Sequence, residues 1–433
     1  MNYEETIDFL LSSLPMFQRT GKAAYKANLD NTHALDQVMG HPHKKFKSVH
    51  IAGTNGKGSV SHMLASVLQE SGYRTGLYTS PHLLDFRERI RINGHMIGKD
   101  QVVGFVEQHM EAIETIQPSF FEITVAMAFD HFARQQVDVA VIETGMGGRL
   151  DSTNIISPEV SVLTRISLDH TEFLGDTEAL IAAEKAGIIK EKVPVIAGNN
   201  SETVNHVFNE AATQKNSPIR TVTDDRIFTF QTFAGERYSI FHFLNLANQK
   251  RESYKTDLLG RYQHENLSLV LTTLEVLRAS GWQIPVNATK NGLQHTKKNT
   301  FLRGRWEVLG ANPRIICDTA HNASGVKAVM EQLQQTPSRK LHIVWGMVGD
   351  KPLEEIIRYL PPDAVYYLTQ PSIPRAMPVE KLHKNAVDQG LNCTKYSSVQ
   401  EAFQHALQAA SPEDTLFIGG STFVVADLLT FFE

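Results

Sequence analysis

The tightest constraint on this chain is the stretch Val49-His-Ile-Ala-Gly-Thr-Asn-Gly-Lys-Gly-Ser59, where a short apolar run turns through glycines into a helix start. Val49 and Ile51 bring β-branched character before the turn. Val60, Met63, Leu64, Val67 and Leu68 then recur at the i, i+3, i+4, i+7, i+8 spacing of one helix face. Strand, loop and helix in that order predict a phosphate-binding loop. Gly53, Gly56 and Gly58 let the backbone turn several N–H groups toward one anion at the positive end of the helix. Lys57 adds a full charge and Ser59 a hydroxyl. The usual spacing of such loops, G-x-x-x-x-G-K-[ST], is not met: Ile51 stands at the first Gly, and Gly58 directly follows the lysine. A glycine-rich turn that binds nothing has the same residues, so the rest of the chain must decide.

With 433 residues the chain exceeds one ordinary core, and two domains are expected. A composition of 42% hydrophobic and 21% charged residues is that of a soluble globular protein. No apolar run reaches the roughly 18 residues of a membrane span. Met1-Asn-Tyr-Glu-Glu-Thr6 lacks the basic region and cleavage site of a signal peptide, so a cytoplasmic location is expected. The net charge of −5 gives no bulk attraction to nucleic acid. Cys317 and Cys393, the two cysteines, lie in apolar runs and are expected to be buried thiols without chemistry.

Along the chain, Ile7, Leu10, Leu11 and Leu14 predict a helix packed on the main sheet and broken by Pro15 and Gly21. Arg74–Ser80 reads as a second strand ending at Ser80-Pro81-His82, and the charged segment up to Asn93-Gly94 as a functional loop leading into a hairpin. Helices near 100–117 and 120–135 precede a buried strand, 137–143, that ends on Glu143. Ligand groups in an open α/β sheet sit at such carboxyl ends. A strand over 160–166 leads to Asp169-His170, a helix from Thr177 to Lys190 carries Glu184 and Lys185, and Val193–Ala197 is a short strand. Residues 200–258 suggest a small β-rich appendage, and Gly260–Asn266 starts another helix. The pattern turns polar between Asn291 and Asn299, where the boundary is placed: 1–297 and 298–433. In the last third, strands at 314–318, 341–345, 364–368 and 415–418 each precede a helical stretch, which predicts a second, smaller α/β domain.

Five separate pieces now stand in one order: Gly53-Thr-Asn-Gly-Lys-Gly-Ser59; Ser80-Pro-His-Leu-Leu84 with Glu88-Arg-Ile90 and Asn93-Gly94; Gly147-Gly148 with Asp151-Ser-Thr-Asn154; Glu184-Lys-Ala-Gly-Ile-Ile-Lys190; and Asp318-Thr-Ala-His-Asn322. In these the chain closely resembles, nearly end to end, the folylpolyglutamate and dihydrofolate synthases of the Mur ligase superfamily. The resemblance implies an α/β protein with an N-terminal P-loop ATPase domain of Mur-ligase type, built on a mainly parallel sheet, and a smaller C-terminal Rossmann-like domain on the glutamate side. It implies an ATP-dependent ligase in which the carboxylate of dihydropteroate or of a reduced folate is phosphorylated and the acyl phosphate is captured by the amine of L-glutamate. Such chemistry needs positioning and cations more than covalent catalysis.

Residue by residue, the resemblance implies that Thr54, Asn55, Gly56, Lys57, Gly58 and Ser59 hold ATP, with Lys57 on the β- and γ-phosphates. Two Mg²⁺ sites are implied, one at Ser80 and Glu143 and one at Glu143 and His170. Oxygen ligands suit Mg²⁺, whereas a histidine is unusual for it and is more often a hydrogen-bonded structural residue. Lys185 aligns with the lysine that the superfamily carbamylates, which would place a negative charge near the metals; a lysine salt-bridged near Glu184 is the plainer alternative. Asn266 and Arg305 fall on nucleotide contacts, Asp318 near adenosine and phosphates, and His321 and Ser421 near the glutamate pocket or the domain cleft. Lys57, Lys185 and His321 are the implied catalytic residues, and Pro81, His82, Arg149, Asp151 and Ser421 the implied substrate contacts. The chain departs from the family in having Arg303 for a Pro before Gly304-Arg305, Thr319 for a Gly and Ala323 for a Pro. Trp306 reads as packing.

The Arg149-Leu150 pair matches bifunctional relatives and favours use of both acceptors, although Arg149 can equally be a salt-bridged surface residue. A cell-wall Mur ligase would need an N-terminal UDP-sugar domain, and about 45 residues precede the loop. A P-loop ATPase or switch that performs no ligation would leave the second domain and Ser80-Pro81-His82 without a task. No nucleic-acid or membrane partner is expected, and the relatives suggest a monomer.

Overall fold

The computed structural model describes residues 1–15, 28–349 and 353–432; Gly21 lies outside them. The described chain forms two compact units. One comprises Met1–Asp257 with Gln263–Leu302, and the other Leu258–Tyr262 with Arg303–Glu433.

The first unit is built on eight strands: β1 (Lys47–Ala52), β2 (Thr75–Tyr78), β3 (Ile90–Ile92), β4 (His95–Met96), β5 (Val139–Glu143), β6 (Val160–Leu163), β7 (Val195–Ala197) and β8 (Ile219–Thr221). Their order is β4-β3-β2-β5-β1-β6-β7-β8. From β2 to β8 neighbours run parallel, while β3 and β4 form the antiparallel hairpin expected at Asn93-Gly94. Parallel strands covered on both faces need near-continuous apolar runs, and β5 and β6 are buried throughout. The helix Tyr3–Ser13 starts in a capping box made by Asn2 and Glu5. Its Leu10 joins Tyr78, Phe129 and Ile142 in one core cluster, as expected.

The helix after the phosphate loop, Lys57–Glu70, departs from expectation. The sequence shows one apolar face, but every residue from Ser59 to Leu68 is buried. The outer side is covered by Gln263–Ala279, Val286–Gln294 and Thr296–Thr300. One of its hydroxyls is satisfied across that contact: Ser66 Oγ donates to Gly292 O at 2.7 Å. Three further elements differ. The helix carrying Lys185 runs Glu178–Ala186 and stops four residues before Lys190. Residues Glu202–Gln214 are helical, with Val204, Phe208 and Ala212 buried at helical spacing. Only then comes the β-rich appendage, the antiparallel sheet β11-β10-β9 of β9 (Arg226–Ala234), β10 (Tyr238–Asn245) and β11 (Lys250–Thr256).

The second unit has β12 (Glu307–Ala311), β13 (Arg314–Cys317), β14 (Leu341–Trp345), β15 (Val365–Leu368), β16 (Asn392–Lys395) and β17 (Thr415–Gly419) in the order β12-β13-β17-β14-β15-β16. All are parallel except β12. Ile316, Ile343, Trp345, Tyr366 and Phe417 share its core with Trp306, which is packing as expected. Cys317 is buried, but Cys393, on the edge strand β16, is partly exposed; neither is in a disulfide. Among the described residues no helix is long and apolar enough to cross a membrane.

At Gly292 a Cβ would stand 2.5 Å from Val67 Cα, so the helix pair has no room for one. Gly292→Ala should destabilise the first unit by about 1–3 kcal/mol, read as a lower urea midpoint at constant slope; an unchanged midpoint would mean that the pair relaxes freely.

Candidate active site

In the first unit, β1 lies between β5 and β6, so the loop after β1 opens at the centre of the carboxyl edge of the sheet. Gly53 and Gly56 hold φ of +150° and +95°. A Cβ would fall 1.8 Å from Thr164 Oγ1 at the first and 2.2 Å from Asn266 Oδ1 at the second, so both positions require glycine. Thr54 N and Asn55 N donate to Arg165 O at 2.9 and 3.2 Å. Thr54 Oγ1 donates to Ser167 O at 3.1 Å, and Asn55 Nδ2 to Ser167 Oγ at 3.2 Å. Those donors of Thr54 and Asn55, expected to serve the nucleotide, therefore brace the loop against the segment after β6. Donors for an anion shift to the first turn of Lys57–Glu70, whose N-cap Gly56 supplies no side-chain cap. Ser59 is buried and accepts from Gln263 Nε2 at 3.2 Å, while Gln263 Oε1 accepts from Asn266 Nδ2 at 2.8 Å. Gln263 thus joins the two nucleotide candidates, and no local motif marks it.

Two lysines converge on one carbonyl. Lys57 Nζ donates to Gly53 O at 3.0 Å and to Thr54 O at 3.3 Å, and Lys185 Nζ donates to Gly53 O at 2.8 Å. Lys185 is buried; burial first, and then the charge of Lys57, push its amine down to about 7. It does not pair with Glu184, which binds Arg149 at 2.8 Å. Glu143 ends β5, opposite Ile51 of β1, and is buried. Ser80 follows the adjacent β2, and its N–H points at Glu143 Oε2 from 3.4 Å. A buried carboxylate beside a serine at neighbouring strand ends is a hard-oxygen donor set that fits Mg²⁺. His170 caps the short helix Thr171–Leu174 in a left-handed conformation, φ 52°, and its imidazole suits that ion less well.

Of the substrate candidates, Pro81 is exposed and His82 half-buried. His82 Nδ1 accepts from Arg89 Nε at 2.8 Å, and burial together with that guanidinium pushes the imidazole down to about 3. Asp151, expected as a substrate contact, is engaged by its own loop. Its carboxylate accepts from Gly145 N, Met146 N, Thr153 N and Thr153 Oγ1 at 2.8, 3.0, 3.0 and 2.5 Å, which fixes the glycine turn after Glu143. Burial pushes the Asp151 carboxyl up. Arg149, with its side chain 56% exposed, is paired to Glu184.

The second unit gathers its candidates at the carboxyl ends of the adjacent strands β13 and β17. Asp318 is buried and accepts from Tyr262 Oη at 2.6 Å, Trp306 N at 2.7 Å and Ala320 N at 2.9 Å. Burial raises its carboxyl from the ordinary range, and these donors oppose the shift. Thr319, in place of the usual Gly, holds its neighbours: Arg305 Nη1 donates to its Oγ1, and His321 Nδ1 lies 3.0 Å from its carbonyl. Because a carbonyl only accepts, Nδ1 carries the His321 proton and Nε2 is the basic nitrogen of the neutral ring. Ser421 caps the helix Thr422–Leu429 by accepting from Phe423 N at 3.1 Å.

Residues 51–274 match the Mur ligase middle domain, and residues 304–422 the Mur ligase glutamate ligase domain. The dihydrofolate synthase/folylpolyglutamate synthase of Bacillus subtilis is 35% identical over 350 residues, covering 78% of this chain and 80% of that protein. The probable bifunctional folylpolyglutamate synthase/dihydropteroate synthase of Haloferax volcanii is 33% identical over 447 residues; these cover 99% of this chain, which spans only 50% of that longer protein. The structure of Escherichia coli FolC in complex with DHPP and ADP superposes with a TM-score of 0.85 at 27% identity, covering 100% of this chain and 98% of that one.

The ordinary value for Lys185 is 10.5, against about 7 in the fold. Between those values the unfolded chain holds more protons, so this residue's contribution to stability rises with pH across that window. Relative to Lys185→Met, the wild type should gain in urea midpoint from pH 7 to 9. Parallel curves would contradict the assignment.

Proposed function

Since the chain belongs to the Mur ligase family, in its folylpolyglutamate synthase and dihydrofolate synthase branch, we propose that it is an ATP-dependent ligase adding L-glutamate to a folate and also to dihydropteroate. The observation that carries the reading is the convergence on Gly53. One loop that only glycine can form has Lys57 and Lys185 on its carbonyl and, at the ends of the next two strands on one side, Glu143 and Ser80. Use of dihydropteroate is favoured by the double name of the Bacillus subtilis relative.

The acceptor carboxylate attacks the γ-phosphorus of ATP, the bond to the β-phosphate oxygen breaks, and ADP leaves. The amine of glutamate then adds to the acyl phosphate, inorganic phosphate departs, and the amine loses a proton. Phosphoryl transfer asks the protein for position and positive charge. The first helical turn and Lys57 supply both, and the braces at Thr54, Asn55 and Ser167 keep the loop from having to reorganise. Mg²⁺, held by Glu143 and Ser80 with His170 at a second position, would neutralise charge on the phosphate oxygens. We assign His321 Nε2 to take the amine proton, Arg305 and Asp318 to the nucleotide, and the 298–433 domain with Ser421 to glutamate. The depressed Lys185 amine suits carbamylation: the ammonium gives up one proton, the neutral nitrogen adds to CO₂ and loses a second, and a cation is exchanged for an anion.

Phosphate release dependent on ATP, Mg²⁺ and glutamate should appear with tetrahydrofolate and dihydropteroate and not with a UDP-muramyl peptide. Activity with the last alone would overturn the assignment. Lys57→Ala should lower kcat/KM by about a thousandfold or more without loss of fold. In ¹³C-bicarbonate a Lys185 carbamate should give a carbon resonance that Lys185→Ala lacks.

A further inference from the structure

The motif Glu88-Arg89-Ile90 supplies no group to the phosphates, yet it sets the shape of the loop that follows Ser80. Glu88 gathers three consecutive N–H groups on one carboxylate: Leu83 N at 2.7 Å, Leu84 N at 2.9 Å and Asp85 N at 2.9 Å. Asp85 in turn accepts from Arg87 N at 2.8 Å and from Tyr3 Oη at 3.1 Å. Backbone from residue 83 to 87 is thereby held by side chains.

Arg89 does a separate task. It is 3% exposed, its guanidinium lies 5.2 Å from the Phe120 ring centroid, and its carbonyl accepts from Thr79 N at 3.1 Å, one residue before Ser80. Its Nε donates to His82 Nδ1 at 2.8 Å. A guanidinium has no acceptor and does not give up its proton in a protein, so Nδ1 of His82 must be the bare nitrogen. A neutral imidazole then carries its hydrogen on Nε2. The opposite tautomer would set N–H against N–H, which the buried guanidinium cannot evade. His82 is therefore presented as a donor through one defined atom.

We propose that Arg89 is a positioning residue that locks His82 in the Nε2–H tautomer, and that this N–H is the donor by which the loop after Ser80 recognises a carbonyl or unprotonated heterocyclic nitrogen of the acceptor. The second half rests on the ligase reading above; the tautomer stands on the geometry alone. The pairing selects for an acceptor ring that offers a lone pair at that place, since a donor there would leave two N–H groups facing each other.

The test uses the full-length chain labelled with ¹⁵N-histidine, the His82 signals being those absent from His82→Gln. The expected spectrum shows Nδ1 unprotonated and Nε2 as N–H. Arg89→Met should abolish that pattern and raise the acceptor KM about tenfold, with the KM for ATP unmoved. The double variant with His82→Gln should be no worse than His82→Gln alone. Arg89→Lys, which keeps the charge and loses the Nε fork, should fall between and serves if Arg89→Met does not fold. A protonated Nδ1 in the wild type, an unchanged acceptor KM, or equal effects on acceptor and ATP would overturn the proposal. If the tautomer is as stated and no folate acceptor is used at all, the ligase reading falls and the Arg89–His82 lock remains.

Discussion

A parallel sheet brings the carboxyl ends of all its strands to one edge, and everything chemical in the first unit depends on that geometric fact. Because β1 pairs with β5 on one side and β6 on the other, the loop after Ala52 is met at once by Glu143 and by the 164–170 segment. Ser80 arrives one strand further out, beyond β5. None of these residues needs to be near another in sequence. The buried helix behind the loop anchors the arrangement, since Ser59 and Ser66 on its flank are hydrogen-bonded to Gln263 and Gly292 rather than to water.

The carbonyl of Gly53 shows how the scaffold prepares for charge. Two ammonium groups share it, and one of them, Lys185, is buried deeply enough that its amine is pushed down to about 7. Two like charges in a desolvated place repel, and the fold relieves this by making one of them easy to discharge. A phosphate or a carbamate would relieve it in the opposite way, by bringing in negative charge. The loop is thus arranged around a charge that it does not itself possess.

The sequence revealed those parts in which a local pattern coincides with a chemical group. Glu143 and Asp318 stand where a buried strand ends on a carboxylate, and Lys57 where glycines precede a helix. Partners fixed only by tertiary structure were not legible. Gln263, Ser167 and Tyr262 sit in no motif of their own and lie far along the chain from Ser59, Thr54 and Asp318. The all-round burial of residues 59–68 was hidden because serines occupy what looks like the polar face of their helix. Strand β12 was missed although Asn312-Pro313, a turn signal, separates it from β13. Strand β16 was missed because Asn392, Thr394 and Lys395 leave an exposed edge with almost no apolar signal. The turn bonds of Asp151 were not legible for another reason: a carboxylate that organises a turn beside a site has the same local sequence as one that touches a ligand.

The short insertion Leu258–Tyr262 belongs to the second unit although the chain on both sides of it belongs to the first. Tyr262 supplies one of the three hydrogen bonds to Asp318, and Leu259 lies in the core of that unit. A gene segment encoding only 303–433 would leave this carboxylate short of a donor and that core short of a side chain. The second unit is therefore not a transferable module in the sense that its contiguous sequence suggests. Exchange of the 303–433 segment between relatives would have to carry a five-residue passenger from earlier in the chain, which ties the inheritance of the two stretches together.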